Sequence, residues 1–301
     1  MITLNSEQGF VKVESWEDIE TLPGFTTNLD PKEHQLNQII GRYIFKDYIK
    51  CGLSNCHTPH GRGYIVSTKS GPITNIGHNC GKSHFDVEFD QLSKVFERNI
   101  ALHTYSENIR STLKSLDFYK EKIASIRSGP QGADALYKKS LLLFKGKSGC
   151  PEAATSIISK MVRGRNSVIS IEKEASRKEI DYLEAIQGKK LPRPYYIEEK
   201  VGELSGLSFL FEENSLRDIL VLDLDNSFKS LSELDVDNGS FNELKEWSAW
   251  CSVIERKIEN IENLIDVGIK LLRKDNLLQI SAAISDKKQK DEYIKFINAN
   301  M

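Results

Sequence analysis

Three of the chain's five cysteines and five of its six histidines fall between His34 and His84. Cys51 and Cys56 form one knuckle, followed by His57 and His60; a second knuckle carries His78, Cys80 and His84. Thiolates and imidazoles on two knuckles, with a spacer of about twenty residues between them, are how a short segment holds a tetrahedral zinc. Gly52, Gly61, Gly77 and Gly81 flank these positions, as tight ligand-bearing turns require. Buried cysteines with incidental surface histidines would explain the residue types but not those glycines. Four ligands suffice. Cys51, Cys56 and Cys80 are the first three, and His60, in a Pro59-His60-Gly61 turn, is the expected fourth, with His57, His78 and His84 as alternates.

A catalytic zinc keeps an open position and needs an acid or base beside it. Residues 51–85 contain no Asp or Glu. The zinc-deaminase and His-Glu-x-x-His signatures are absent. A structural zinc is therefore the expectation, and catalytic residues are expected to be none. Two phosphate-loop look-alikes fail: Gly146-Lys147-Ser148 has Leu141 where the loop needs glycine, and the Gly77–Ser83 segment is one residue short. No nucleophile elbow is present. Asp223 with Asp225, and Asp235 with Asp237, could bind Mg²⁺, but they lie in an acidic stretch that reads as solvated turn.

The elements that must position the knuckles follow from periodicity. Phe10–Val13 alternates as a strand, and Ser15 caps a short helix at Trp16–Thr21. Asp30, Pro31 and Glu33 are N-cap, N1 and N3 signals, predicting a helix through Leu36, Ile39 and Ile40. Tyr64–Lys69 and Ile73–Ile76, joined by Ser70-Gly71-Pro72, predict a β-hairpin between the knuckles, a ribbon-like or treble-clef-like arrangement. From Phe89 the period turns helical, with one long helix to Ile126 broken near His103, then helices at Asp134–Phe144, Glu152–Val162 and Val168–Ile186. Leu207–Glu212 and Asp218–Leu224 suggest a second hairpin. Trp247, Cys251, Ile254, Ile258, Ile261, Ile265, Gly268 and Leu272 form a heptad seam. A last helix is predicted at Leu277–Asn298.

The expected fold is therefore α+β and predominantly α. A zinc-binding module (1–88) precedes a basic helical region (89–190), an acidic loop with a small hairpin (191–240) and a C-terminal helical hairpin or coiled coil (241–301). The pattern of Cys51, Cys56, His60, Gly61, Gly63 and Tyr64, followed by Asn75, Gly77, Cys80, Gly81, Lys82 and Phe85, resembles uncharacterised proteins encoded by phages, prophages and their hosts. The resemblance covers the N-terminal module only. It implies a bound metal and a mobile-element origin, and brings no activity with it.

Composition bounds the partners. With 301 residues, 39% hydrophobic and 28% charged at net −2, the chain is an ordinary globular protein and not a bulk polycation. Residues 110–166 nevertheless hold twelve Lys/Arg against four Asp/Glu, and 201–240 hold nine Asp/Glu against two Lys/Arg. Such asymmetry points to an anionic partner or to docking of one part on another. Lys138, Lys139, Lys145 and Lys147, with Tyr195 and Tyr196 after Pro194, are the candidate partner-binding residues. The heptad, Trp247 to Leu272, is the candidate self-association surface, giving an oligomer. No secretory signal is visible at the start, no apolar run reaches the ~20 residues a bilayer demands, and clustered thiols with Cys150 and Cys251 left over suit a reducing cytoplasm.

Three functions remain from this reading. One is a non-enzymatic, zinc-stabilised interaction protein that binds a host protein, for example to inhibit a bacterial defence system. The second is a nucleic-acid binder using the basic zinc module and residues 110–166. The third is a metal-dependent enzyme acting on nucleic acids or nucleotides.

Overall fold

The computed structural model describes residues 1–6, 9–144 and 149–301. Lys145 and Lys147, and with them the Gly146-Lys147-Ser148 look-alike, lie outside the described residues. The chain is mostly helical, with a small antiparallel sheet near its start. No helix of the described residues is long and apolar enough to cross a membrane. Two compact units result: Met1–Arg110 with Val236–Ser248, and Ser111–Asp235 with Ala249–Met301.

The first unit is built on a five-stranded antiparallel sheet ordered β2-β1-β3-β4-β5, with β1 Ile2–Ser6, β2 Gly9–Val13, β3 Leu36–Lys50, β4 Pro59–Thr68 and β5 Ile73–Gly77. The hairpin between the knuckles is β4–β5, as the Ser70-Gly71-Pro72 turn predicts, but it forms one edge of a larger sheet. Between β2 and β3, helix α1 (Trp16–Glu20) begins at Ser15, whose side chain accepts from the Asp18 amide.

The helix expected after Asp30 is instead strand β3. Asp30 does accept from the Lys32 amide, but the turn it makes feeds a strand. The register of β3 on β4 shifts between Leu36 and Gln38, between Ile39 and Gly41, and between Ile44 and Ile49. Each irregularity breaks the period of two, so Leu36 and Ile39 both face the core at a spacing that mimics a helix.

Directly after β5 comes α2, His78–Lys114, interrupted at Asp86, whose φ of 47° and ψ of −126° are not helical. Residues before the interruption form a short helix; the remainder lays Phe89, Phe96 and Ile100 against Leu29, Leu36, Leu53 and Val66 of the sheet side. This packing carries the first unit on to Arg110, well past residue 88. The break expected near His103 is absent; the helix yields at Ser115, after which α3 runs Leu116–Arg127. The returning segment is tied on by Asn108, whose amide donates to the Ser248 carbonyl at 2.8 Å, and by Phe241 against Tyr105.

The second unit contains α3, α4 (Ala133–Leu142), α5 (Glu152–Gly164), β6 (Val168–Glu174), α6 (Arg177–Gln187), β7 (Tyr196–Glu203), α7 (Asn226–Glu233) and, beyond Ala249, α9 (Ile254–Leu271), α10 (Lys274–Leu278) and α11 (Lys287–Asn300), while α8 (Phe241–Cys251) leads into it. Two sequence expectations are corrected here. Val168–Ile186 is a strand and then a helix, because Ser176 and Glu179 form a complete capping box that starts α6 afresh. The hairpin expected at Leu207–Leu224 is helical: Leu207–Leu210 is a 3-10 turn and Asp218–Asp225 a π-helix. Leu216, Leu220 and Leu224 are buried at helical spacing, while Leu222, which the alternation placed with them, is 52% exposed.

The heptad is corrected as well. It is broken at Val253 between α8 and α9, and its α9 part is one wall of a mixed core rather than half of a helical hairpin. Ile254, Ile258 and Ile261 pack in one cluster with Leu116, Phe209 and Leu220. Within the chain, Cys251, Ile254, Ile258, Ile261 and Leu272 of the seam are buried, while Trp247 and Ile265 are partly exposed. The final helix is shorter than expected, with α10, a 3-10 turn at Gln279–Ala283 and α11 dividing the stretch.

Candidate metal centre

Cys51 follows the last residue of β3, is 1% exposed, and donates its amide to the Thr58 carbonyl at 3.1 Å. The chain then folds under itself, with the Cys56 amide donating to the Leu53 carbonyl and the Gly52 amide to the Asn75 carbonyl on β5. Only glycine fits at 52: a Cβ there would lie 2.1 Å from Thr74 Oγ1 and 2.9 Å from Asn75 Oδ1. The first knuckle is thereby clamped to β5, whose last residue, Gly77, leads straight into the helix bearing Cys80.

The result is a convergence of three sulfurs. The Sγ atoms of Cys51, Cys56 and Cys80 all lie within 4.8 Å of one another. Cys56 and Cys80 are 3.3 Å apart, too far for a disulfide, and the five described cysteines are all free. A tetrahedral zinc with Zn–S bonds of about 2.3 Å sets its sulfurs ~3.8 Å apart, so the cluster is of a size to take one ion. Among the described residues, no other three or more His, Cys, Asp or Glu side chains converge in this way.

Burial pushes the Cys51 thiol up; amides of Leu53 and Gly77 directed at its sulfur oppose this, as they would stabilise a thiolate. For Cys56 burial, the largest single influence, is outweighed by the Thr58 hydroxyl and amide and the two neighbouring thiols taken together, and its pKa is lowered. Cys80 is pushed up to about 12 by burial and by the thiolate that Cys56 presents to it. One thiol of the three is thus inclined to ionise, while the other two hold their protons until a cation arrives. We expect zinc binding near pH 7 to release about two protons or more, those of Cys51 and Cys80 at least, with apparent affinity rising as pH rises. Calorimetry in buffers of different ionisation enthalpy counts them; uptake with no proton release would show that sulfur is not the ligand.

Among the described residues, no histidine nitrogen joins the three converged sulfurs. His60 is held by both ring nitrogens: Nδ1 lies 3.0 Å from the Thr58 carbonyl, and Nε2 meets the Tyr43 hydroxyl at 2.5 Å. A carbonyl only accepts, so Nδ1 carries the proton and Nε2 accepts from Tyr43. Tyr43 in turn accepts from Asn75 Nδ2, which also donates to the Lys50 carbonyl at 2.9 Å. Every donor in this chain is assigned, and Asn75 Oδ1 is left buried without a partner. His57, at a left-handed φ of 51°, sets Nδ1 3.2 Å from the Cys51 carbonyl. His78 packs its ring on Tyr64 and Phe89. His84 is exposed.

Tyr43, Thr58 and Asn75 are the supporting residues that spacing alone does not reveal. Tyr43 reaches His60 because strand pairing sets Tyr43 opposite Gly63, and a Cβ on Gly63 would strike the Tyr43 hydroxyl at 2.5 Å. The one sequence signal is Asn75, which stands two residues before Gly77 at the start of the second knuckle.

The other candidate residues lie elsewhere. Lys138 is exposed and Lys139 half-buried on α4; Tyr195 is half-buried and Tyr196 is exposed on β7. Lys138 lines a groove with Tyr137, Leu216, Arg217, Leu220 and Val221. A neighbouring open cavity of about 380 Å³ is lined by Lys120, Ile123, Asp225 and Phe228 among others. Arg127 stands between the two, donating to Asp134 and, at 2.8 Å, to Asp225. The paired acids are in use: Asp225 on Arg127, and Asp223 on Lys257 and the Trp250 indole.

Comparison of the chain with protein-family models, with curated proteins and with solved structures finds no match.

Proposed function

We propose that this is a zinc-stabilised binding protein without chemistry of its own, in which the metal locks the first unit and the second unit carries much of the partner contact. The single observation behind this is the make-up of the metal cluster. Three sulfurs, one of them fully buried, are the soft ligand set of a structural zinc, and no carboxylate joins them to serve as acid or base. The resemblance of the N-terminal pattern to phage and prophage proteins suits a mobile-element product, and binding and blocking a host factor, a defence complex for example, is a role in keeping with that origin.

The second unit supplies the kind of surface such a role needs. Lys120, Lys138, Arg217 and Lys229 rim the grooves on either side of Arg127, and none has an ion-pair partner among the described residues. Their floor is apolar, from Leu216, Leu220 and Phe228. Unpaired cations over an apolar floor suit an acidic protein surface. Their presence also favours a second reading, phosphate contact with nucleic acid, which salt dependence separates: a steep linear fall of log affinity with log salt marks the nucleic acid.

The test is affinity capture from host lysate with the double variant Lys138→Glu, Arg217→Glu beside wild type. The variant should keep full zinc content and lose at least tenfold in partner affinity, mainly through slower association. Equal capture by both proteins removes the groove from the reading. Hydrolysis of nucleic acid or nucleotides by metal-replete protein, lost when the cysteines are replaced, overturns the non-catalytic role.

A further inference from the structure

We propose that His84 supplies the fourth ligand, so that the metal sits in a closed set of three thiolates and one imidazole. This rests on the zinc reading above and adds to it the identity of the group that closes the site.

A short helix precedes the interruption at Asp86. Its residues from His78 to Phe85 are regular, and Asp86 then departs from helical backbone with φ 47° and ψ −126°. Within that helix Cys80 and His84 stand at i and i+4, which stacks their side chains on one face with Cβ atoms about 5–6 Å apart. The neighbouring face is taken by the core. Gly81 lies so close to Phe89 that a Cβ would meet the ring at 2.4 Å, and Phe85 packs on the same cluster. At about 100° per residue, Gly81 and Phe85 point one way, and Cys80 and His84 lie side by side toward the edge of that core. This is where the sulfur cluster is: Cys80 is half-buried and 3.3 Å from Cys56 Sγ.

Availability separates His84 from its rivals. Both nitrogens of His60 are used, by Thr58 and Tyr43. The His78 ring is packed with Tyr64 and Phe89, and two residues before Cys80 it points to the far side of the helix. His57 adjoins Cys56 in sequence and holds the Cys51 carbonyl from a left-handed backbone. His84 is exposed and has no hydrogen bond, ring contact or ion pair among the described residues. Its imidazole lies outside the group of converged ligand atoms, so it must rotate about its side-chain bonds to reach the ion. At an exposed position such rotation takes picoseconds to nanoseconds and breaks nothing. Closure from the water-facing side is what the half-exposed Cys56 and Cys80 leave undone.

The test is Co²⁺ substitution in the full chain, reading ligand-field and sulfur-to-metal charge-transfer bands, with competitive Zn²⁺ titration for affinity. Wild type should take up one tetrahedral Co²⁺ with thiolate bands. His84→Ala should keep those bands, change the ligand-field bands, and bind Zn²⁺ at least as much more weakly as the ~10–100-fold that losing a ligand's supporting partner costs. His84→Cys should restore tight tetrahedral binding, and His57→Ala and His78→Ala should leave both readouts unchanged. Unchanged bands and affinity in His84→Ala overturn the proposal. If another histidine variant moves instead, that residue is the ligand; if none does, solvent is. Wild type that takes up no metal defeats the zinc reading as well, a result distinct from either of these.

Discussion

Cys51→Ser is expected to release the metal and to bring the first unit close to unfolding, while the helix signal of the second unit persists. Cys51 is 1% exposed, receives two backbone amides at its sulfur and directly follows the strand from which the first knuckle hangs. A serine hydroxyl does not ionise to replace the thiolate, and because the site forms only in the folded chain, metal-binding free energy is folding free energy. With free zinc a thousandfold above its dissociation constant, the metal contributes about 4 kcal/mol. That is a large share of the roughly 5–15 kcal/mol that holds a domain folded. At roughly 2–4 °C per kcal/mol, the melting temperature of the first unit should fall by about 10–15 °C. Elemental analysis measures the metal, and Trp16 and Trp247 fluorescence follows this unit. Cys150→Ser and Cys251→Ser, at lone buried thiols of the second unit, are the controls and should keep full zinc. Full metal content in Cys51→Ser would mean that the three sulfurs are not the binding set.

The cysteine cluster was legible in the sequence because its information is local: two knuckles, flanking glycines and a hairpin between them place three sulfurs without knowledge of the rest. The same holds for Ser15 capping α1 and for the β4–β5 turn. What the sequence hid was non-local. His60 sits at a ligand-like spacing, yet its ring is held by a tyrosine that strand pairing brings in from β3. Leu36 and Ile39 look helical because bulges shift the strand's inward face, and nothing in the local sequence marks a bulge. Leu220, Leu222 and Leu224 alternate like a strand, but burial of Leu216, Leu220 and Leu224 in the second core selects a helical spacing through the same residues. In the last two of these cases tertiary packing chose between two periods that the side chains alone allowed.

The heptad puts that distinction to a quantitative test at Gly268. As a coiled-coil seam, the run from Trp247 to Leu272 has a glycine where leucine would be ideal, and Gly268→Leu should stabilise it, by helix propensity alone about 1 kcal/mol. The packing predicts the opposite sign. Gly268 is buried in α9 beneath Phe209, whose ring atoms lie 2.5, 2.8 and 2.9 Å from where a Cβ would stand. Phe209 is itself 5% exposed, in a core shared with Ile258 and Ile261, and has no free side to retreat to. Beside it on α9, Gly206 at φ 76° brings the same loop down on the Val267 carbonyl and the Leu271 amide, so two glycines permit one close approach. A leucine must push the loop off the helix and expose the apolar surface that both now cover. Overpacking of this kind costs about 3 kcal/mol or more, which exceeds the propensity gain. Gly268→Leu should therefore lower the melting temperature of the second unit by roughly 5–10 °C, with no gain in oligomer mass by light scattering. A variant that melts higher and runs as a larger species would show that the seam serves a second copy after all, and that its burial within one chain is not the arrangement in solution.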